Sequence, residues 1–348
     1  MLNTHSIAVL RSKKASIIET LSRIKLQMEI GLSIPLILSY LLMASIITAA
    51  PAAVPTEPES AGFKHIEPAL VKTDSVKTAA IEVIDDAGRQ VRLIAPAQRI
   101  ISLAPSMTEL LFSIGAGGRV VGVIDYSDYP VEALSLPVIG RHDLLDMEAI
   151  VALQPDLIVA WQSGNPRSSL RRLEELGFAV YIAEPSSLDS IADQVERLSV
   201  LSGLPEQGAQ LAAQFRQELK ALAETHQGVE RVSVFYQVWH SPLISVGGGE
   251  LINDIISLCG GSNIFADLAV GPKVSVEGVL QHNPDVIIAS GMDIARPEWL
   301  DDWLRWPHLK AVQNQQLYFI PPDLVQRHSL RALQGASLLC QHLDETRR

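Results

Sequence analysis

The sequence predicts an α/β protein of two Rossmann-like lobes, each built on a mostly parallel central sheet. A single long helix joins them and a ligand cleft lies between them. Three observations predict this. Apolar strand patterns alternate with helical patterns along the body, as in parallel sheets covered on both faces. The longest helical pattern, 204–226, falls between two such series. Finally, one stretch recurs. Glu148 opens EAIVALQPDLIVA and Glu277 opens EGVLQHNPDVIIA, each with Pro-Asp seven residues after the glutamate and then an apolar strand. Helix–turn–strand units resemble one another widely, yet the shared Glu, Pro-Asp and strand favour an internal two-lobe repeat. Thr108-Glu109-Leu110-Leu111 has a looser echo in Gly249-Glu250-Leu251-Ile252.

In order, IEVIDDAGRQVRL (81–93) reads as a hairpin turning at Asp86-Ala87-Gly88. Ile100 to Leu103 form a buried strand. Ser106 or Thr108 caps a helix that runs to the Gly115–Gly118 cluster. Val120 to Ile124 form the next strand. Helix MEAIVALQ, strand PDLIVAW, helix SSLRRLEELG, strand FAVYIAE and helix IADQVERLSVLSG complete the first series. After the long helix, strand RVSVFYQVW opens the second. Its helices are LINDIISLCGG, VEGVLQHN, PEWLDDWLRW and RALQGASLLCQHLDE; its further strands are PDVIIAS and QLYFIP. The lobes are therefore 80–203 and 230–348, joined by 204–229.

The chain has 348 residues, 47% of them hydrophobic and 19% charged, enough apolar material for two cores. Net charge is −11; segment 1–53 carries five basic and two acidic residues, about +3, which leaves the remainder near −14. An acidic body argues against a nucleic-acid surface, which needs clustered Lys and Arg. Residues 30–50 are a nearly uncharged apolar run, preceded by basic residues and followed by Ala49, Ala50, Ala52 and Ala53. That order is a secretory signal, and the run is also long enough for a retained membrane anchor. A start at Met28 would shorten the long basic leader. No cysteine lies near the run, against a lipid-anchored form. Residues 54–79, rich in Pro, Ala, Thr, Ser and Glu, read as a flexible linker. The chain is therefore expected to be exported. Cys259 and Cys340 are the only cysteines. An even count in an exported chain suggests a disulfide; two buried free thiols are the alternative.

No G-x-S-x-G elbow, P-loop, H-E-x-x-H or C-x-x-C motif is present. VGGGE (246–250) precedes a helix and is either an anion cradle or a tight turn, the turn being favoured. The nine histidines are scattered without metal-ligand spacing; His142, His240 and His328, near otherwise interesting segments, read as solvated or core-satisfied. No catalytic residue, metal site or cofactor is expected. Three aromatics do stand out. Tyr129 in SDYP (127–130), Trp161 ending DLIVAW and Trp239 ending VFYQVW all fall at carboxyl ends of strands, where open α/β sheets bind ligands. Each alone could be core packing; together they suggest a cleft with flat apolar walls, suited to a large planar ligand. Trp299, Trp303 and Trp306 read instead as an apolar stripe anchoring their helix. Asp323 and Arg327 follow strand LYFIP. They either pair with each other or face a ligand's amides and carboxylates, and the residues alone leave both open.

RIISLAPSMTELLFSIGAG, VGVIDYSDYP, EAIVALQPDLIVAW, CGGSNIF and KVSVEGVL, with the long middle helix, resemble the periplasmic binding proteins whose two lobes are joined by one helix. That class serves ABC importers for cobalamin, iron-siderophores and haem, and the resemblance covers about 98–348. SDYP, Ala160-Trp161 and the cysteine pair are most similar to the cobalamin branch. The resemblance implies that Tyr129 and Trp161 contact a corrinoid and that Asp323 and Arg327 are polar groups of the same cleft. Trp239 falls near a further ligand-facing aromatic. It also implies that Glu148 and Glu277, one per lobe, dock on arginines of the importer's membrane subunits, and that Cys259 and Cys340 form the family's disulfide. A monomeric binding protein without catalysis is expected. His142, Gly271 and Leu324 stand where the cobalamin branch carries further cleft aromatics. The thinner lining leaves room for cobinamide, or for an iron chelate such as a siderophore or haem. A two-lobe metallocofactor enzyme is the remaining alternative; it would need a cysteine or histidine cluster in the cleft.

Overall fold

The computed structural model describes residues 80–291 and 295–348. The expected signal or anchor (1–53) and linker (54–79) lie outside the described residues. Among those described, no helix is long and apolar enough to cross a membrane.

Strands β1 (Ile81–Ile84) and β2 (Gln90–Leu93) form the expected antiparallel hairpin, with Ile81 opposite Leu93. Then come β3 (Ile100–Ser102), α1 (Pro105–Ser113), β4 (Val120–Val123), a short hairpin of β5 (Gly140–Arg141) and β6 (Leu144–Leu145), α2 (Met147–Leu153), β7 (Leu157–Trp161), α3 (Arg167–Glu175), β8 (Val180–Ala183) and α4 (Leu188–Leu201). The long helix α5 (Pro205–Thr225) follows. The second series has β9 (Val232–Gln237), a hairpin of β10 (Trp239–His240) and β11 (Leu243–Ile244), α6 (Leu251–Leu258), β12 (Gly261–Asn263), α7 (Val276–His282), β13 (Val286–Ala289), α8 (Lys310–Gln313), β14 (Leu317–Phe319), α9 (Pro322–Val325) and α10 (Ala332–Arg347).

The two principal sheets are parallel and four-stranded, in the orders β4-β3-β7-β8 and β12-β9-β13-β14. Counted within each series, both orders are 2-1-3-4, so the sequence repeat is a topological one. The recurrent Pro-Asp has a structural reason in both lobes. Asp156 accepts the backbone N–H groups of Gln98 and Arg99 just before β3, at 2.7 and 3.0 Å. Asp285 accepts that of Ser233 in β9 at 2.9 Å. Each aspartate, at the foot of the third strand, ties down the first strand beside it.

The strands that carry the repeat are continuously apolar and buried, as sheets covered on both faces require. One apolar cluster runs from Leu110 and Tyr181 in the first lobe through Val195 and Phe215 of α4 and α5 to Tyr236 and Leu339 in the second. The lobes thus share a core rather than meeting only through a linker. Cys259 and Cys340 are disulfide-bonded, 81 residues apart in sequence, and tie the end of α6 to α10.

Three local expectations are corrected. Neither Ser106 nor Thr108 caps α1, whose N-cap is Ala104. Thr108 is instead buried inside the helix and bonds Ser102 and Ser127. Trp239 does not end a sheet strand: β9 stops at Gln237, and Trp239 belongs to the hairpin that follows. PEWLDDWLRW winds as a 3-10 helix, Glu298–Arg305. In that geometry residues three apart eclipse, which puts Leu300 and Trp303 on one buried line and lets the Trp303 indole N–H donate to Gln237 at 2.7 Å.

Candidate functional site

In a 2-1-3-4 sheet the crevice opens at the carboxyl ends of the first and third strands, where the chain departs in opposite directions. In the first lobe those ends are Ser102 and Trp161. A cleft of about 240 Å³, open to solvent, lies there. Ala104, Pro105 and Ser106 from the turn into α1, with Tyr126 and Trp161, form one wall. The other comes from the second lobe, where β14 runs into α9: Pro322, Asp323, Gln326, Arg327 and His328. One wall presents two aromatic side chains, the other mainly polar groups.

The Trp161 ring packs on Gly164, where an added Cβ would lie 1.8 Å from it; only glycine allows the ring to lie flat there. Tyr126 is 72% exposed and has a left-handed backbone, φ 60. A tyrosine in that region is uncommon and costs free energy, which directs attention to functional loops.

Beside the cleft the lobes are bridged by charge. Glu109, on α1 and 2% exposed, accepts from Arg327 Nη1 at 2.9 Å and from the Ser329 hydroxyl at 2.6 Å. Arg327 also reaches Asp128 of the first lobe at 2.7 Å and Asp323 of its own at 3.0 Å. Arg331 lies 3.5 Å from Glu109 and 3.6 Å from Asp323, with its guanidinium 4.2 Å from the Tyr129 ring centroid. Burial pushes the Glu109 carboxyl above its ordinary value, against the pull of Ser329 and Arg327. Burial alone would lower Arg327, but Asp128 and Glu109 more than offset it and hold the guanidinium charged. His328 has no such partner, and burial pushes its imidazole down to about 4.

Of the residues singled out from sequence, Trp161, Asp323 and Arg327 are brought together in the cleft. The Asp323–Arg327 pair exists, but as one edge of a network reaching across the lobes rather than as an isolated surface pair. Tyr129 is 45% exposed and lies under Arg331, while Tyr126 takes the place in the wall. Trp239 stands apart, tilted against His240 at 4.9 Å, and His240 in turn stacks on Trp299 at 5.5 Å. His142 lies at the outer side of Trp161, in a shallow hollow with Ser163 and Asn165. Gly271 is an exposed turn residue at φ 60. Sequence reasoning missed Glu109, Tyr126, Asp128 and Arg331. Glu109 sits within the Thr108–Leu111 echo, but nothing local shows that its partner is more than two hundred positions away. VGGGE is a turn: the Glu250 carboxylate itself accepts from Gly247 and Gly271 at 2.6 and 2.9 Å, filling the position an anion would take. Among the described residues, no group of three or more His, Cys, Asp or Glu is placed to hold a metal ion.

Glu148 and Glu277 occupy equivalent positions. Each is exposed, one residue into a seven-residue helix that ends on a left-handed residue, Gln154 or Asn283, both at φ 47. Neither is the cap. Asp146 accepts from the Ala149 N–H at 2.9 Å, and Ser275 from the Gly278 N–H at 3.1 Å.

Comparison with known proteins agrees with this architecture. The chain is 41% identical over 250 residues to the vitamin B12-binding protein of Vibrio cholerae, covering 71% of this chain and 90% of that one. It is 38% identical over 248 residues to the vitamin B12-binding protein of Yersinia pestis, covering 71% and 86%. The crystal structure of the periplasmic vitamin B12 binding protein BtuF of Vibrio cholerae superposes with a TM-score of 0.67 at 39% identity, covering 73% of this chain and 99% of that one. The periplasmic haem-binding protein RhuT from Roseiflexus sp. RS-1 shares the fold, with a TM-score of 0.64 at 24% identity, covering 72% and 100%. These relatives are named as binding proteins, not enzymes. The family model described as periplasmic binding protein matches residues 100–324, and the chain belongs to that family.

Proposed function

We propose that this chain is the substrate-binding protein of an ABC importer, and that it captures cobalamin or a related corrinoid between its lobes for delivery to the membrane permease. The observation that carries this reading is the interlobe cleft, with Trp161 and Tyr126 on one wall and Asp323, Gln326, Arg327 and His328 on the other. An aromatic face suits a flat macrocycle, and a polar wall suits amide side chains around its rim. The names of the 41% and 38% identical relatives support the same ligand class.

In this reading residues 80–203 and 230–348 are the lobes and 204–229 the connector. Trp161, Asp323 and Arg327 touch the ligand, with Tyr129 at its margin. Glu148 and Glu277 meet two like basic sites on the permease. The protein acts in the periplasm as a monomer, without catalysis, cofactor or nucleic acid; the corrinoid is cargo.

The test is to mix purified protein with cyanocobalamin, dialyse, and record the visible spectrum. A retained corrinoid band is expected. Retention of haem or a ferric siderophore instead would replace the ligand assignment. Trp161→Ala is expected to weaken binding about tenfold, since stacking on an aromatic adds about 0.5–1.5 kcal/mol beyond area burial. Unchanged affinity by calorimetry, with the fold intact, would remove Trp161 from the site.

A further inference from the structure

His328 differs from every other polar group on its wall. Asp323 and Arg327 satisfy each other and the first lobe, and Gln326 donates to the Ser290 hydroxyl at 2.7 Å. The His328 ring is half-buried at the cleft wall and makes no hydrogen bond among the described residues. Yet the backbone that carries it is held on both sides. Its neighbours Arg327 and Ser329 both reach the buried carboxylate of Glu109, at 2.9 and 2.6 Å. A nitrogen base without a partner, on a segment anchored at both flanks, lines a cleft whose facing wall is Trp161 and Tyr126.

We propose that His328 is an axial ligand to the metal of a bound planar metallo-tetrapyrrole, and that the preferred cargo is a corrinoid with an exchangeable, water-occupied axial position. This rests on the corrinoid reading above. An imidazole nitrogen binds a metal only when it is unprotonated. Burial, which pushes His328 down to about 4, keeps it so at neutral and mildly acidic pH. In the step itself the ring nitrogen gives its lone pair to the cobalt and the bound water leaves. No electron moves, and no proton is released because the imidazole is already neutral. The aromatic wall holds the macrocycle's other face or edge, so orientation and coordination come from opposite lobes. A form with cyanide on both axial positions gains nothing from the histidine. Haem iron offers the same open axial chemistry, and the experiment separates the two sources.

The protein is titrated separately with aquocobinamide, dicyanocobinamide and ferric haem, following visible absorption, and the cobalt(II) cobinamide complex is examined by EPR. Aquocobinamide is expected to bind with shifted bands, at least tenfold more tightly than dicyanocobinamide, and the cobalt(II) form to show splitting by one axial nitrogen. His328→Ala and His328→Gln should abolish the shift and the nitrogen splitting and collapse the preference for the aquo form. Corrinoid retention with unshifted bands, or nitrogen splitting that survives His328→Ala, overturns the axial role while leaving the corrinoid reading standing. Retention of haem alone with a His328-dependent spectral change supports the axial role and overturns the corrinoid assignment. Retention of none of the three overturns both.

Discussion

Glu109 of the first lobe and Arg327 of the second meet at 2.9 Å beside the ligand cleft, with only 2% of Glu109 exposed. The pair adds a polar bridge to the apolar core the lobes already share. Taking one partner from a buried ion pair leaves an uncompensated charge, which typically costs about 3–5 kcal/mol. Glu109→Ala still leaves Arg327 paired with Asp128 and Asp323, so it is expected to lower unfolding free energy by less than that, about 1–3 kcal/mol, through the lost bonds to Arg327 and Ser329. Replacing Glu109 and Arg327 together by apolar residues of similar size should cost less than either single change. Urea denaturation of the three variants checks this; a single-variant loss under about 1 kcal/mol would mean that water already screens the pair.

The Cys259–Cys340 bridge closes a long loop within the second lobe. In the chain-entropy account such a loop contributes about 4.5 kcal/mol, an upper figure. Reduction, or Cys259→Ala with Cys340→Ala, should lower stability by about 2–5 kcal/mol. Titration of two free thiols in unreduced, unfolded protein would instead show the bridge absent.

Acid should destabilise the protein through His328. Below pH 6.5 the unfolded chain takes up a proton there that the folded one resists until about 4, so stability falls as pH falls through that window. The loss attributable to this ring between pH 6.5 and 5 is about 2 kcal/mol at most, because the ring is partly open to the cleft. His328→Gln should flatten the difference in denaturation midpoint between pH 7 and pH 5. An unchanged difference would place the acid sensitivity elsewhere, for instance at His342, which burial also lowers.

Since Asp146 and Ser275 do the capping, Glu148 and Glu277 are free for another task. Charges on an interface rim chiefly set register and encounter rate. Glu148→Arg combined with Glu277→Arg should collapse transport in reconstituted vesicles and weaken the complex with the permease, while calorimetry finds ligand affinity little altered. Wild-type transport by the double variant would leave the two glutamates without a docking role.

The strand and helix periodicities of 80–348, the long helix and the Glu…Pro-Asp repeat were enough to predict two parallel α/β lobes, because local patterning and burial agree along nearly the whole body. Trp161 was legible as a cleft residue for the same reason: the end of a third parallel strand is a position the topology itself defines. Tertiary structure alone decided which side chains meet across the lobes. Glu109 has ordinary helical surroundings, and only the joining of two distant segments makes it the acceptor for Arg327 and Ser329. Tyr126 rather than Tyr129 lines the wall, and Arg331, from the other lobe, covers the Tyr129 ring. Trp239 falls in the hairpin after β9 rather than at a sheet-strand end, and the last residue of β9, Gln237, accepts from the Trp303 indole of a later segment. Periodicity records which face of an element is buried, but it carries no information about the partner. Contacts between lobes are set by the packing of whole layers, and a sequence read along its length does not express that.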